Sequence, residues 1–227
     1  MFPHNVILYG KPEDLPATRI VHAGPLTALF ENGDLRYIRL GEHELIRRIY
    51  VAVRDHNWAT VLPVLADLKI EQTADRFAIT YEVTHQQEDI HFVWQGEITG
   101  TPDGRLRFAM RGQAKTSFRR NRIGFCILHP TECAGTQARI EHVDGTVDAT
   151  VFPEVIAPQQ IVEGIIKPVA PFDEMRVLAH EIEPGVWAVL RMEGDIFELE
   201  DQRNWLDASY KTYCTPRRLP FPVEVPQ

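Results

Sequence analysis

The feature that most constrains the fold of this chain is a run of segments with the two-residue period of β-strands, separated by polar turns. Four such segments follow one another between residues 66 and 115, and each ends in a polar break after about ten residues. Their bounds are Ala66–Thr73, Phe77–His85, Ile90–Thr101 and Leu106–Lys115. Parallel βαβ units would need helical patterns between the strands. The spacing therefore predicts a mostly β fold, a large antiparallel sandwich or barrel with very little helix.

The N-terminal part of the chain predicts an antiparallel meander. Thr27–Glu31 and Leu35–Leu40 flank the dipeptide Asn32-Gly33, and Asn-Gly is the strongest short signal for a β-hairpin. Gly41-Glu42 makes the next turn and leads into a third strand, Leu45–Arg54. Three consecutive antiparallel strands of this kind form a meander.

Two later segments depart from simple alternation. Ile123–Leu128 is a nearly continuous apolar run, which predicts a strand buried on both faces. Gln159–Ile166 lies in a proline-rich excursion and is the one helix candidate. Met175–Ile182 and Val186–Met192 then return to the strand pattern, with a Glu-Pro-Gly turn between them.

At its C-terminal end the chain changes composition. Thr215–Pro226 has four prolines in twelve residues, a density typical of an extended, polyproline-like segment that forms no β-ladder. We therefore expect residues 1–216 to form a single β-sandwich domain. Residues 217–227 are expected to be a proline-rich linker or tail that leads to a C-terminal domain of the same polypeptide.

Charge and hydrophobicity exclude several classes of partner. The formal net charge is −8, so the net field would attract neither nucleic acid nor an anionic membrane. No stretch reaches the roughly eighteen apolar residues of a membrane span, and the N-terminus lacks the pattern of a signal peptide. The cysteines are few and odd in number, namely Cys126, Cys133 and Cys214, which suits reduced thiols in the cytoplasm.

Residue counts and spacings also exclude several kinds of chemistry. Ser117 and Ser209 are the only serines, and neither lies in a G-x-S-x-G elbow, so hydrolysis would use an activated water. The chain has no Walker loop or dinucleotide fingerprint, and we expect no cofactor. Residues 126–133 include two cysteines, a histidine and a glutamate, but their spacing is not that of a zinc ribbon or finger. We therefore assign no metal site.

The acidic stretch Glu193–Tyr213 has the densest set of candidate catalytic groups. If the chain is extended here, Glu198 and Glu200 point to the same face, with Cα atoms roughly 6.5 to 7 Å apart. Such a pair of carboxylates can act on one substrate, one of them as a general base. The alternative is a hydrated strand face whose charges are balanced by Arg203 and Lys211.

His129 and Glu132 follow the predicted buried strand, at the point where a sandwich usually opens into a cleft. A histidine at that point can titrate near neutral pH and act as an acid or a base, and a carboxylate three residues later can orient it. Alternatively, His129 caps the strand through a hydrogen bond to the following loop.

Three arginines, Arg119, Arg120 and Arg122, immediately precede this strand. Guanidinium groups bind carboxylates through two parallel hydrogen bonds, and strand alternation puts Arg120 and Arg122 on one face. Their target would be a sugar-acid carboxylate or a lactone carbonyl oxygen, which carries or develops negative charge. Alternatively, one arginine neutralises the acidic residues 198–201, since structural ion pairs are the more common situation.

The second half of the acidic stretch suits a sugar. Trp205 offers an aromatic face to the apolar side of a ring, and Asn204, Asp207 and Lys211 offer donors and acceptors to its hydroxyls. Alternatively, Trp205 is a core anchor. The remaining tryptophans are assigned to the core or to a groove wall, without a choice between the two: Trp58, Trp94 and Trp187.

Longer segments carry a family resemblance. RNRIGFCILHPTECAG at residues 120–135 and MEGDIFELEDQRNWLDASYKTY at residues 192–213 resemble D-apionate lactonases. The meander at residues 26–50 is similar to the opening of the galactose-mutarotase-like supersandwich. The resemblance implies a carbohydrate-active hydrolase that opens D-apionolactone in apiose catabolism, with a supersandwich β domain followed by a barrel-like domain.

The leading hypothesis is therefore a lactonase-like hydrolase, or its N-terminal domain, acting on a sugar lactone. Glu198 or Glu200 would activate water, an arginine of residues 119–122 or Arg203 would stabilise the oxyanion, and His129 would help to protonate the leaving hydroxyl. The expected substrate-binding residues are Arg120, Arg122, Glu132, Arg203, Asn204, Trp205, Asp207 and Lys211. One alternative is a non-catalytic sugar-binding or scaffold domain of a larger carbohydrate-active enzyme, and another is an aldose-epimerase-like protein.

Overall fold

A computed structural model describes residues 3–10, 12–156, 160–162, 165–167, 170–205, 208–214 and 223–227. These residues form the α-helix α1 (His4–Tyr9), a single turn of 3-10 helix at Thr131–Cys133, and eighteen β-strands. In chain order the strands are β1 (Thr18–Ala23), β2 (Leu26–Glu31), β3 (Asp34–Leu40), β4 (His43–Asp55), β5 (Pro63–Gln72), β6 (Phe77–Gln87), β7 (Ile90–Gly100), β8 (Leu106–Ala114), β9 (Phe118–His129), β10 (Gln137–His142), β11 (Val147–Val151), β12 (Gln160–Val162), β13 (Ile165–Lys167), β14 (Phe172–Glu183), β15 (Val186–Arg191), β16 (Phe197–Gln202), β17 (Ser209–Cys214) and β18 (Val223–Val225).

Two antiparallel sheets account for most of these strands. The larger has twelve strands, in the order β1-β2-β3-β4-β9-β17-β16-β14-β10-β11, with β15 beside β14 and β18 beside β9. The smaller has four strands in the order β5-β6-β7-β8, and β12 pairs with β13. The predicted mostly β, antiparallel, sandwich-like fold is therefore confirmed.

The core lies between the two sheets and follows from the alternation in the sequence. In β6 the apolar side chains of Phe77, Ile79, Tyr81 and Val83 are buried, and the residues between them are more exposed. They belong to one continuous apolar cluster with buried residues of the larger sheet, such as Ile127 of β9. One shared core of this kind holds both sheets in a single packed unit.

The first hairpin forms as the sequence predicts, and the burial predicted for Ile123–Leu128 is confirmed in part. Asn32 and Gly33 between β2 and β3 have φ of 46° and 91°, and positive φ at both central residues is what a tight hairpin turn requires. Strand β9 contains the apolar run and lies between β4 and β17 in the interior of the larger sheet. Cys126, Ile127 and Leu128 are buried, whereas Ile123 and Phe125 are half-buried and line a cavity, so burial on both faces is confirmed only for residues 126–128.

Two local predictions differ from the structure, and one element was not predicted. The tail is expected to have no β-ladder, but Val223–Val225 forms β18 and pairs with Phe118–Arg120. These three residues include no proline, and two of them are the β-branched valines, so the segment can pair with the edge of β9. The helix candidate instead contains β12 and β13, which form a hairpin; Gln159 lies outside the described residues. The helix α1 was not predicted from the sequence.

Helices in the described ranges are short. The α-helix α1 has six residues, and no helix in this part of the chain has the length and apolarity needed to cross a membrane.

Candidate functional site

The predicted carboxylate pair lies on the face of the larger sheet that points away from the smaller sheet. In the ladder between β16 and β17, Glu198 is opposite Tyr213 and Glu200 is opposite Lys211. Their neighbours Phe197 and Leu199 belong to the core between the sheets. Because side chains alternate along a strand, the two glutamates point to the other side, which we call the outer face.

These outer-face groups are buried and have polar partners. The Tyr213 hydroxyl donates to Glu198 Oε1 at 2.7 Å, and the side-chain amide of Gln202 donates to Glu200 Oε2 at 2.7 Å. Burial, and then the charges of Glu200 and Glu198, raise the pKa of the Tyr213 phenol above its usual range. Tyr213 therefore keeps its proton at neutral pH and acts as a donor.

Arg122 of β9 joins the same group of side chains. Its guanidinium carbon lies 3.8 Å from the centroid of the Tyr213 ring and 5.6 Å from the centroid of Trp58. Burial disfavours the charge on Arg122, but opposing charges nearby, among them that of Glu200, outweigh it and raise the pKa of the guanidinium. The cation is thus held by aromatic faces and by the field of a carboxylate.

Five residues define this arrangement, which we call the outer-face cluster: Arg122, Glu198, Glu200, Lys211 and Tyr213. Its two carboxylates and two cations balance in charge. Opposite charges placed close together offset the free-energy cost of burying each of them. Chemically, a carboxylate can take a proton from water, a guanidinium can stabilise an oxyanion, and a protonated phenol can donate. Lys211 also faces Tyr50, with Nζ 5.9 Å from the ring centroid.

His129 lies on the opposite face of the sheet. It pairs with Tyr210 in the ladder between β9 and β17, and its Nε2 is 2.8 Å from Thr212 Oγ1. The ring is fully buried, and burial, with the neighbouring His180, lowers the pKa of His129 to about 3. The structure therefore does not bring His129 together with Glu198 and Glu200, and it leaves the imidazole neutral at physiological pH.

Arg203 makes a structural ion pair. It donates to both carboxylate oxygens of Asp201, at 2.9 and 2.8 Å, and its other donors reach the carbonyl oxygens of Pro153 and Glu154. Its guanidinium carbon also lies 4.4 Å from the centroid of the Tyr210 ring. Arg203 is thus the arginine that neutralises a member of the acidic residues 198–201, and it ties this turn to the segment after β11.

The other expected binding residues are dispersed. Arg120 is half-buried. Burial lowers the pKa of its guanidinium, and the nearby Cys214 and Asp195 raise it by less. Glu132 is exposed and lies 3.9 Å from Arg47. Asn204 and Trp205 lie in the turn after β16, and Trp205 is 56% exposed, which excludes the core-anchor alternative. Asp207 lies outside the described residues.

The largest cavity that we describe lies elsewhere. It has a volume of about 680 Å³ and opens between the sheets beside β8, where Phe108 and Phe125 form its aromatic floor. None of the predicted site residues lines it. Among the described residues, no group of three or more histidine, cysteine, aspartate or glutamate side chains is arranged to hold a metal ion.

Sequence reasoning missed Tyr213 and Trp58 as neighbours of the carboxylate pair. For Tyr213 a signal was present, because it lies two residues beyond Lys211 and therefore shares its strand face. For Trp58 the sequence offered no such signal. It comes from the loop after β4, and only the packing of β4 against β9 brings that loop to Arg122.

Comparison with known proteins agrees with the resemblance read from the sequence. The family model described as "D-apionate lactonase, N-terminal domain" matches residues 6–227. This chain belongs to the D-apionate lactonase N-terminal domain family. It is also 41% identical, over 225 residues, to a D-apionate lactonase from Brucella anthropi. That alignment covers 96% of this chain and 35% of the relative, so the chain spans about a third of the length of the curated lactonase that it matches.

In this member of the D-apionate lactonase N-terminal domain family, both sequence motifs that carried the resemblance fall on adjacent strands. The first motif includes most of β9, and the second includes β16 and β17. Since these three strands are neighbours in the larger sheet, the two motifs meet in space, and the outer-face cluster lies where they meet.

Proposed function

We propose that this chain is the N-terminal β-sandwich domain of a hydrolase that opens a sugar lactone, such as D-apionolactone, to the sugar acid. The observation that carries the proposal is the 41% identity to a D-apionate lactonase along nearly the whole chain. The buried carboxylate pair beside Arg122 adds physical support, because lactone hydrolysis needs a base for water and a positive group for the oxyanion.

In the proposed mechanism the outer-face cluster supplies the chemistry. Glu200 or Glu198 takes a proton from water, which attacks the lactone carbonyl carbon. Arg122 stabilises the negative charge that develops on the carbonyl oxygen. Tyr213 takes the role first expected of His129 and protonates the alkoxide released when the ring C–O bond breaks, because it shares the outer face and holds its proton. The proton that the glutamate took from water then returns to Tyr213, whose hydroxyl is hydrogen-bonded to Glu198.

Two features of the larger protein belong to the same proposal. Residues 1–216, together with β18, belong to one β-sandwich domain, and the hydrolase has a further domain of the same polypeptide. The 35% coverage of the relative supports this arrangement. The small-molecule partner is then a sugar lactone of apiose catabolism.

The test is to replace each carboxylate in the full-length protein and to measure opening of D-apionolactone. Glu198→Gln and Glu200→Gln keep the size of the side chain but remove the base, so we expect at least one variant to lose roughly 10²- to 10⁴-fold in turnover. Glu193→Gln, in an exposed position of the same stretch, is the matched control and should retain turnover. Near-normal turnover in both Glu198→Gln and Glu200→Gln would exclude this cluster from the chemistry.

One observation favours a second role, that of a non-catalytic module of the same hydrolase. The outer-face cluster is buried and its charges are balanced, which is also what a purely structural network looks like. This alternative expects the glutamine variants to lower the free energy of unfolding while the turnover of the protein that remains folded stays normal. Measuring both quantities on the same variants separates the two roles.

A further inference from the structure

Strand β8 is one edge of the smaller sheet. Among the described residues it pairs with β7 and with no other strand. The pairing with β7 runs from Leu106 to Ala114 without a bulge, and β8 contains no proline. A long, regular edge strand of this kind presents a row of backbone N–H and C=O groups that can pair with a further strand.

The other edge strand of this sheet, β5, has features that oppose further pairing. It begins with Pro63, which lacks an N–H group, and its register with β6 shifts between Ala66 and Lys69. Asp67, inside that irregularity, has φ of 52°. Prolines and bulges are devices that block the edges of sheets. Because β8 has neither, it is the edge of this sheet that suits a partner.

Two hydrogen bonds at the ends of the β7–β8 ladder fix which backbone groups of β8 face outward. The N–H of Lys115 donates to the carbonyl oxygen of His91 at 2.7 Å, and the N–H of Thr101 donates to that of Arg105 at 3.0 Å. Hydrogen-bonded residues alternate along an antiparallel strand. The odd-numbered residues of β8 therefore bond to β7, and the even-numbered residues direct their N–H and C=O groups to the open edge.

The side chains of the even-numbered residues line the cavity of about 680 Å³ between the sheets. Leu106, Phe108 and Met110 are only half-buried there, whereas Ile98, the neighbour of Phe108 in β7, is fully buried. The facing wall includes Phe125 of β9. A strand added beside β8 would direct every second side chain into this cavity, so apolar residues at those positions would complete the burial of β8.

The charges of β8 indicate what else the added strand contains. Arg107 and Arg111 are the only charged residues of β8, and both are exposed on the opposite face of the sheet. Arg107 lies 3.5 Å from Glu97, whereas Arg111 has no carboxylate partner in the part of the chain that the structure describes. Opposite charges on neighbouring strands stabilise their pairing. The added strand should therefore alternate apolar residues with acidic ones.

The same charges argue against a second copy of β8 as the occupant. The strand has two arginines and no acidic residue, so pairing with itself brings like charges together, which is destabilising. The far rim of the cavity includes Arg191, Glu193 and Asp195. It has charges of both signs and does not change this preference.

We infer that the edge of β8 binds an extended segment of alternating apolar and acidic residues, and that this segment comes from the remaining part of the same polypeptide. The inference rests on the proposed function for the existence of a further domain. The chain matches 35% of the length of its lactonase relative, so about two thirds of such a polypeptide lies outside these residues. Backbone hydrogen bonds to β8 supply affinity, and the cavity selects the apolar side chains.

The first experiment measures backbone hydrogen exchange, residue by residue, in the full-length protein. An added strand protects the even-numbered amides of β8, so we expect those of Phe108 and Met110 to exchange at least about a hundredfold more slowly than in an unstructured peptide. The amides of Arg107 and Ala109 are the internal reference, since β7 protects them in either case. Rapid exchange at Phe108 and Met110 would overturn the inference, and it is also what a small apolar ligand in the cavity predicts.

Arg111→Glu tests the charge of the added strand. It places a carboxylate beside the expected acidic residues, so exchange of the even-numbered amides should become about fivefold faster or more. The amides of Arg107 and Ala109 should stay slow, which shows that the sheet is intact. Arg105→Glu is the matched control, because the Arg105 side chain is 85% exposed and precedes β8; it should change neither set. Unchanged exchange in Arg111→Glu would overturn an acidic partner.

A photocrosslinker at position 109 identifies the source of the segment. Ala109→p-benzoylphenylalanine places it at the middle of β8, and an equal mixture of isotope-labelled and unlabelled full-length protein is irradiated. We expect crosslinks to peptides outside residues 1–227, with the same isotope at both ends. A mixed-isotope crosslink identifies a second copy, and a crosslink within residues 1–227 identifies a segment of this chain. Either result, or no crosslink, overturns the assignment.

Opening of D-apionolactone, measured on the same protein, keeps this inference separate from the proposed function. If the lactone is not opened while the even-numbered amides of β8 are protected, the lactonase proposal fails and the docking of a strand on β8 stands. If the lactone is opened while those amides exchange rapidly, the docking is overturned and the lactonase proposal is unaffected. A protein that shows neither overturns both.

Discussion

At the scale of single residues, burial decides what a titratable group can do. His129 and His180 lie in an aromatic pocket, with ring centroids 6.0 and 5.8 Å from that of Phe152. Burial, with His180 adding to the effect, lowers the pKa of His129 to about 3, and burial lowers that of His180 to about 4. Both histidines are therefore neutral in the folded protein at pH values where an unfolded chain would protonate them.

This pair predicts a loss of stability in mild acid. Below about pH 6.5 these two histidines bind protons in the unfolded chain but not in the folded chain. The free energy of unfolding should therefore fall as the pH decreases from about 6.5 to about 4. At pH 5 each histidine contributes roughly 2 kcal/mol to the loss. Urea unfolding at pH 7 and pH 5 measures it.

A histidine variant identifies the source of the effect. His129→Gln removes one titrating group, so the difference between pH 7 and pH 5 should shrink by roughly 2 kcal/mol, even though the variant is less stable at both values. His4→Gln, in an exposed position of α1, should leave the difference unchanged. If His129→Gln has the same pH dependence as the wild type, the neutral buried state of this histidine is wrong.

The same residues show how much of the site could be predicted. Strand alternation correctly placed Glu198 and Glu200 on one face, because that relation is local. The relation of His129 to them was not local, since it depends on how β9 pairs with β17 across more than eighty residues of sequence. A shift of one residue in that register would have put His129 on the outer face.

At the scale of elements, β9 is the strand on which the site depends, and Gly124 is its tightest point. Gly124 is paired with Ala52 of β4 and has φ of 139°. A Cβ atom at this position would overlap the sulfur of Cys214 on β17. Glycine therefore lets β9 and β17 approach closely, and that approach sets Arg122 against Tyr213.

Gly124→Ala should therefore be costly. We expect a loss of about 2 to 4 kcal/mol in the free energy of unfolding, from the overlap and from the positive φ together. Gly41→Ala is the control, since Gly41 also has a positive φ, 57°, but no atom lies within 4 Å of the position that an added methyl group would occupy; it should cost only about 1 kcal/mol. Adding Cys214→Ala to Gly124→Ala should recover part of the loss, and denaturant unfolding of the wild type and these variants tests this.

At the scale of the whole molecule, the two sheets are joined by a polar contact within an apolar interface. The hydroxyl of Tyr81, in β6 of the smaller sheet, donates to the carbonyl oxygen of Gly33 in the first hairpin of the larger sheet, at 2.7 Å. Tyr81 is buried, and burial raises the pKa of its hydroxyl. This hydrogen bond fixes the hairpin against the smaller sheet.

Tyr81→Phe removes that hydrogen bond and keeps the ring. The carbonyl oxygen of Gly33 is then left without its partner, so we expect a loss of about 1 to 2 kcal/mol in the free energy of unfolding. Tyr37→Phe is the comparison, because Tyr37 is 37% exposed and water can replace a lost partner there; its cost should stay below about 0.5 kcal/mol. Equal costs at the two positions would argue against a buried bond between the sheets.

The sequence by itself determined the class of fold, the first hairpin, the burial of residues 126–128 in β9 and the family. Alternation, turn residues and long motifs carry this information because each acts over a few neighbouring residues. Only the tertiary structure decided which groups share the outer face. It placed His129 on the face opposite Glu198 and Glu200, paired Arg203 with Asp201, and placed Trp58 beside Arg122. These outcomes depend on strand order and register between distant segments, where one residue of shift reverses the face on which every side chain lies.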